Sequence, residues 1–455
     1  MDWNFLIRNK ESLHVTTDSR KVTSGSVFVA LKGEHFDGND YVSQALEQGA
    51  EWVLMDNQNR YDHLPEELQK RVIFSPSLCG EGRGEVGGSL AQLQDLARAW
   101  RRELGLPILG ITGTNGKTTT KELCAAVLAT KYNLYYTQGN LNNQIGVPLT
   151  LLSITRAHEM AIVEMGASHP GDIKELVDIA EPDYGLITNV GRAHLQGFGS
   201  FEGVMRTKAE LYDFIIEHHG TIFRNADNPH LEEMLGDSLK KWSNGSINDP
   251  YSEADRSTEG RLEMVNGKIV NYHTGTMPQG TYLVGGYNAE NVSAALCVGE
   301  FFGVSREAGL AAIRAYIPSN NRSQLMQTER NTVVVDAYNA NPTSMQAAIE
   351  AFTNHKSEIL NPKSEMPKAY ILGAMRELGE YSHLEHQNIV NMLLERKADK
   401  VMLVGPEYKE TTAPYPVFDN VDALCETLKK EPINGYRILL KGSRSNQLEK
   451  VIPLL

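Results

Sequence analysis

The sequence predicts an α/β chain built as three units in tandem, on three observations. Short apolar runs alternate with segments of helical periodicity, the pattern of sheets covered by helices. The chain has 455 residues, and roughly 150 residues per domain suggests about three domains. Residues 110–122 (GITGTNGKTTTKE) have the strand, glycine turn, Lys-Thr and helix layout of a phosphate cradle.

Residues 1–105 read as a small α/β unit. Residues 26–31 (SVFVAL) and 52–55 are strand-like, and 41–48 helix-like. Polar loops bracket the first strand: VTTDSRKVTSG, with Asp18, Ser19 and Arg20, and LKGEHFDGND, with Lys32, Gly33, Asp37 and Gly38. They could hold a ligand, and they equally fit ordinary turn chemistry. Residues 79–88 read as a mobile Gly-rich loop. Residues 89–104 read as a helix, with apolar positions at Leu90, Leu93, Leu96, Ala97 and Trp100.

Residues 106–316 form a second unit of parallel-sheet, P-loop ATPase type. Pro107, Ile108 and Leu109 lead into the phosphate loop, and a helix is expected over 121–130. Further strands fall at 161–165 and 186–190, and further helices at 201–216, 288–302 and 305–316. Asn266-Gly267 between apolar runs predicts a hairpin over 261–273. Residues 317–455 repeat the alternation. Strands are expected at 332–336, 369–372, 400–404 and 437–440, with helices near 342–354, 382–396, 420–430 and 445–452.

In the cradle, Gly113, Thr114, Asn115 and Gly116 would offer backbone N–H groups to phosphate. Lys117 would reach the β- and γ-phosphates of ATP, and the Thr118 hydroxyl, followed by Thr119, would reach Mg2+. The fit is imperfect, because the first glycine of the common nucleotide pattern falls on Ile111. A plain glycine turn between core elements is the alternative. Glu164 ends an otherwise apolar run, and a carboxylate buried there needs a cation. An exposed strand end would need none. His194 and Lys208, on their own, read as an ordinary loop histidine and a solvated lysine.

Composition narrows the class. Hydrophobic residues at 41% and charged residues at 22% suit a globular domain. No apolar run approaches roughly 18 residues, so no membrane span is expected. The start, MDWNFLIRNKES, lacks a secretory pattern. A net charge of −13 argues against a nucleic-acid partner. Cys79, Cys124, Cys297 and Cys425 lack CxxC spacing and read as buried thiols of a cytoplasmic protein.

Six stretches, in order, resemble motifs of the Mur ligase family over nearly the whole chain. They are TGTNGKTTTKE from Thr112, GNLNNQIGVPLT from Gly139, VEMGASHPGDI from Val163, TNVGRAHLQGFGS from Thr188, DAYNANPTSM from Asp336 and KGSRSNQLEKV from Lys441. DSRKVTSGSVFVALKGEHFDGNDY from Asp18 resembles a uridine-nucleotide domain of that family.

The resemblance implies a monomeric ATP-dependent amide ligase. Residues 1–105 would hold UDP-N-acetylmuramoyl-tripeptide, 106–316 ATP, and a Rossmann-like 317–455 the incoming D-alanyl-D-alanine. Lys117, His194, Lys208 and Arg322 would be the catalytic group. Thr118, Glu164, His194 and a carbamylated Lys208 would ligate Mg2+. Asn288 and Asn291 would lie on the adenine side, Asp336 near the ribose, and Arg322 at the γ-phosphate on domain closure. Ser19, Arg20, Lys32, Asn140, Asn142, Asn143, Asn339, Asn341, Lys441 and Ser443 would contact the other substrates.

Tyr287, Ser168 and Asn320-Asn321 depart from the family's usual His, Asn and Pro-Gly. The DNPR motif of the diamino-acid-adding branch is missing from the last unit, since Asp227-Asn-Pro229 is followed by His230 and lies in the second. Another Mur-type or a folylpolyglutamate-type ligase remains an alternative, and a nucleotide-switch ATPase a remote one.

Overall fold

The computed structural model describes residues 2–79, 85–245, 268–318, 322–354, 366–398 and 400–455. Three sheets follow one another along the chain. The first is parallel and runs β1 (Val15–Thr16), β2 (Val27–Val29), β3 (Trp52–Met55), β4 (Val72–Phe74). β-Branched and aromatic residues dominate these strands, as a pleated, buried surface favours. Next, β5 (Ser77–Cys79) pairs antiparallel with β6 (Glu85–Gly87). The stretch expected to be a loop thus has paired arms, with strand formers on either side of its glycines. Residues 80–84 lie outside the described residues.

The second sheet contains β7 (Ile108–Thr112), β8 (Leu134–Tyr136), β9 (Met160–Glu164), β10 (Tyr184–Ile187), β11 (Thr221–Asn225) and β12 (Lys268–Tyr272). Its order is β12-β11-β10-β7-β9-β8, and every pairing is parallel. β7 and β9 are buried along their whole length, as strands covered by helices on both faces must be. From β7 the chain runs out to the edge at β8, returns to β9 beside β7, and then crosses to β10 on the other side of β7. The C-terminal end of β7 is therefore a topological switch point, where such sheets bind ligands. The turn and first arm of the expected hairpin lie outside the described residues. Its second arm is β12, a parallel edge strand.

The third sheet contains β13 (Gln324–Gln327), β14 (Thr332–Asp336), β15 (Lys368–Gly373), β16 (Lys400–Val404), β17 (Val417–Phe418) and β18 (Arg437–Lys441). Its order is β13-β14-β18-β15-β16-β17, with only β13 antiparallel to its neighbour. One expectation fails here. Residues 445–452 form no α-helix but two 3-10 segments, Arg444–Asn446 and Leu448–Leu454. Gln447 between them is left-handed at φ 52°, and Pro453 has no N–H to continue a ladder.

Helix Gly88–Leu104 belongs to two units at once. Leu93, Leu96, Ala97 and Trp100 are fully buried in a core that joins Val27, Val29 and Leu54 of the first sheet to Val147, Leu151 and Leu176 of the second unit. Its polar groups are tied across the same boundary. Trp100 Nε1 donates to the Ile154 carbonyl at 2.9 Å, and the Arg101 guanidinium to Asp183 at 2.8 Å. The third unit builds cores on the two faces of its sheet, one of which takes in Val284 of the second unit, and polar side chains add further links between the two.

Trp100→Ala is therefore expected to cost about 3–5 kcal/mol, seen as a lowered denaturation midpoint. An unchanged midpoint would mean that the helix is not shared between the two cores.

Candidate active site

The glycine turn after β7 sits where the switch point puts it. Gly113 has φ 142° and Gly116 φ 79°. A Cβ on Gly113 would lie 2.0 Å from Thr188 Oγ1, and one on Gly116 2.4 Å from Asn291 Oδ1. Glycine is required by contact as well as by conformation. The turn is stitched to the loop after β10. Thr114 N–H donates to the Asn189 carbonyl at 2.9 Å, Asn115 N–H to Asn189 Oδ1 at 3.0 Å, and Thr188 Oγ1 to the Asn115 carbonyl at 2.6 Å.

Helix Lys117–Leu128 starts at once, four residues ahead of expectation, and its N-terminus faces a cleft of about 970 Å³. That end is an anion site by geometry and dipole. The Lys117 ammonium folds back on the loop, donating to the carbonyls of Gly113 at 2.7 Å and Thr114 at 3.1 Å. Burial lowers its pKa to about 8, with Glu164 opposing the shift and Arg322 adding to it.

Glu164 closes β9 directly beside the loop, because β7 and β9 pair Ile111 with Glu164. It is 1% exposed. Its Oε1 accepts from Thr118 Oγ1 at 3.2 Å and Asn142 Nδ2 at 2.9 Å. Its Oε2 accepts no hydrogen bond, and the nearest cation, Lys121 Nζ, stands at 3.8 Å. Lys121 is itself fully buried and donates to the Thr137 carbonyl at 2.6 Å. An orphaned carboxylate oxygen beside a threonine hydroxyl is a fit for Mg2+, which takes one or two protein oxygens and fills its shell with phosphate and water. No trio of His, Cys, Asp or Glu gathers among the described residues, so phosphate oxygens would have to complete the shell.

Other candidates divide. His194 lines the same cleft, is left-handed at φ 50°, and bonds Glu377 of the third unit through Nδ1. Burial lowers its pKa, and the Glu377 carboxylate opposes that. Lys208 is 2% exposed, which excludes the solvated reading. Its ammonium lies 5.8 Å from the Phe198 ring and makes no hydrogen bond or ion pair among the described residues. Burial drives its pKa well below the usual lysine range, Lys117 adds to this, and Asp172 and Glu210 oppose it.

Asn288 and Asn291 line the cleft but are buried. Asn291 donates to Asn288 at 2.9 Å and accepts from Thr120 Oγ1 at 3.0 Å. Asp336 accepts from Lys441 Nζ at 2.7 Å, and the same ammonium reaches the Asn339 carbonyl at 3.2 Å. Asn341 caps helix Pro342–Asn354 through Ser344 N–H at 2.8 Å and donates to Asn115 of the phosphate loop at 2.8 Å. Ser443 accepts Asn446 N–H within its own turn, while its hydroxyl donates to Asn446 Oδ1 at 2.7 Å. Arg322 lies over the Tyr338 ring at 3.9 Å.

Asn140, Asn142 and Asn143 also line the cleft. Ser19, Arg20 and Lys32 do not. Arg20 is exposed and paired with Asp18 at 2.8 Å, which drops that carboxyl to about 2. Of the departures, Ser168 N–H donates to Asp172 at 2.8 Å, and the Tyr287 hydroxyl bonds Ser323 Oγ at 2.7 Å. Asn320-Asn321 lie outside the described residues.

Sequence reading missed Lys121, Asn189, Tyr338 and Glu377. Lys121 carries a signal, one helical turn after Lys117 on the same face. Glu377 carries none, because its partner is far away in the chain.

Comparison with known proteins gives the family. Three family models match: Mur ligase family, catalytic domain over residues 13–78; Mur ligase middle domain over 111–299; and Mur ligase, glutamate ligase domain over 321–444. The UDP-N-acetylmuramoyl-tripeptide–D-alanyl-D-alanine ligase of Bacillus subtilis is 33% identical over 449 residues, covering 96% of this chain and 92% of that one. The chain belongs to the Mur ligase family. The enzyme of the same name from Escherichia coli is 33% identical, covering 97% of this chain and 93% of its own. Among solved structures, a MurF ligase from Thermotoga maritima in complex with ADP aligns with TM-score 0.77 and 25% identity over 98% of both chains. MurF from Acinetobacter baumannii, at TM-score 0.74 and 24% identity over 97% of this chain and 93% of its own, shares the fold. These are three-unit α/β folds like the one described above.

Gly113→Ala is expected to cost about 1–3 kcal/mol of stability through the clash and the φ it would force. Calorimetry should show nucleotide affinity falling by at least about tenfold. Undiminished affinity would separate the loop from nucleotide binding.

Proposed function

We propose that this chain joins D-alanyl-D-alanine to UDP-N-acetylmuramoyl-tripeptide at the expense of ATP, a step of peptidoglycan precursor synthesis in the cytoplasm. The observation that carries the reading is the buried Glu164 carboxylate, with one oxygen unsatisfied, directly beneath a glycine phosphate loop. The curated relatives named for this reaction, matched over more than nine-tenths of their length, supply its identity.

ATP would lie with its phosphates on the N-H groups of residues 113–118. Lys117 would turn from its own loop carbonyls to the β- and γ-phosphates, exchanging neutral acceptors for anionic ones. Thr118 and Glu164 would hold Mg2+, with His194 on the cleft wall as a further ligand. The ion would supply charge neutralisation between two anions, the substrate carboxylate and the triphosphate. The tripeptide carboxylate attacks the γ-phosphorus, and the bond to ADP breaks. The resulting acyl phosphate meets the dipeptide amine, a tetrahedral intermediate forms, and phosphate leaves with the amide made. Arg322 would stabilise charge on the transferring group.

Lys208 supports a further part of the proposal. A buried amine without an anionic partner can add CO2, losing a proton to give a carbamate. The product would carry the negative charge that this position otherwise lacks. Residues 1–105 would hold the uridine-nucleotide end through Ser19, Arg20 and Lys32, away from the phosphate cleft.

Phosphate release is expected only when both UDP-muramoyl-tripeptide and D-alanyl-D-alanine are present. Release that ignores the dipeptide would favour the nucleotide-switch reading, and release with glutamate or a diamino acid a different ligase. Lys208→Ala is expected to lose ligation and regain part of it with added short carboxylic acids. A carbamate carbon signal should appear with labelled CO2 in the wild type and be absent from the variant. Wild-type turnover by Lys208→Ala would overturn the carbamate role.

A further inference from the structure

Two of the four cations on the third unit's side of the cleft are neutralised. Lys441 is held by Asp336 at 2.7 Å, and Arg376 is paired with Glu407. Two cleft-lining arginines of this unit, Arg322 and Arg444, have no acidic partner among the described residues. Both lie over one ring, Tyr338, at 3.9 and 5.7 Å from its centroid. Arg322 Nε is buried and makes no hydrogen bond. Guanidinium groups left unpaired against an aromatic face, in a cleft, suit planar oxyanions such as carboxylate, which they bind with two parallel hydrogen bonds.

Exposure separates the two arginines, Arg322 being partly buried and Arg444 exposed. Arg322 is near enough to Lys117 to act on its charge, so it belongs with the transferred phosphate. Arg444 follows β18 in the turn Arg444–Asn446, on the wall contributed by the third unit. A dipeptide whose amine attacks an acyl phosphate at the phosphate loop must extend its other end away from that loop. Two extended residues span roughly 7 Å, so the trailing carboxylate needs a cation set back from the phosphates.

Resting on the ligase reading, we propose that Arg444 binds the terminal carboxylate of the acceptor dipeptide, with Tyr338 as the surface under its side chain. The acceptor is then selected for a free carboxyl end as well as for its amine. Arg444 is a binding residue in this role and takes no part in phosphoryl transfer.

The test is ligation by wild type and Arg444→Gln with two acceptors, D-alanyl-D-alanine and its C-terminal amide, each with the free amine. The wild type is expected to prefer the acid by roughly 10- to 100-fold in kcat/KM, the worth of one charge-assisted pair. Arg444→Gln should lose that preference through KM for the acid, leaving the KM for ATP and the melting midpoint unchanged. Arg444→Lys, which keeps the charge but not the fork, should retain part of it. Equal use of both acceptors by the wild type would overturn the inference, and so would an undiminished acid preference in Arg444→Gln. Ligation of neither acceptor by the wild type would instead overturn the ligase reading, and the inference with it.

Discussion

The site depends on one buried carboxylate. Glu164 sits at 1% exposure at the end of the fully buried strand β9, where an ionised group carries an effective desolvation cost of several kcal/mol. Two hydrogen bonds and a distant lysine offset part of this and leave Oε2 bare. A fold keeps such a group only where something else completes it. The rest of the cleft follows from that incompleteness. Gly113 and Gly116 bring the loop in closely enough for Thr118 to reach the same carboxylate. Asn142, from the loop after β8, closes the other side.

The second constraint is how the units are joined. Between the first and second, helix Gly88–Leu104 buries Trp100 and its neighbours, so relative motion there would expose apolar surface. Between the second and third, Val284 enters the third unit's core, and the links at the phosphate-loop side are polar: Asn115 to Asn341 at 2.8 Å, Arg192 N–H to Thr343 at 3.2 Å, the Arg192 guanidinium to Glu385 at 3.4 Å, and His194 to Glu377. Polar contacts of this kind exchange for water at small net cost. Contacts at the phosphate-loop side of the third unit are thus cheaper to exchange than the apolar join between the first two units. That asymmetry suits the ligation proposed above, in which the third unit meets the substrates at the phosphate loop.

Much of this was legible in the chain. The phosphate loop, the Glu164 strand end and most strands of the third sheet carry local signals of period and turn chemistry. β14 and β16 fall where their apolar runs put them. What was not legible depends on distant residues. Lys208 read as a solvated lysine until the fold buried it, because burial is decided by what packs on top, and His194 read as an ordinary loop histidine until the fold set it against Glu377. Glu377 became part of the site only through a contact across two units. The end of the chain misled for a local reason: its apolar spacing looked helical, but Gln447 and Pro453 break any ladder there.

The departure at Tyr287 shows how a substitution can be absorbed by the join between units. Its hydroxyl reaches Ser323 at 2.7 Å, and Ser323 is buried at 4% exposure with a left-handed φ of 49°. Such a backbone costs a non-glycine residue of order 1 kcal/mol or more, and persists only when its surroundings fix it. A backbone bridge between Leu283 and Gln324 fixes the next residue along. Together they hold the start of the third unit to the base of helix Asn288–Phe301, one residue from Arg322. A phenol is longer than an imidazole and places its oxygen at the tip of a rigid ring. It spans from the start of helix Asn288–Phe301 to Ser323 across the cleft wall. In this chain the residue at 287 is therefore tied to the backbone next to Arg322.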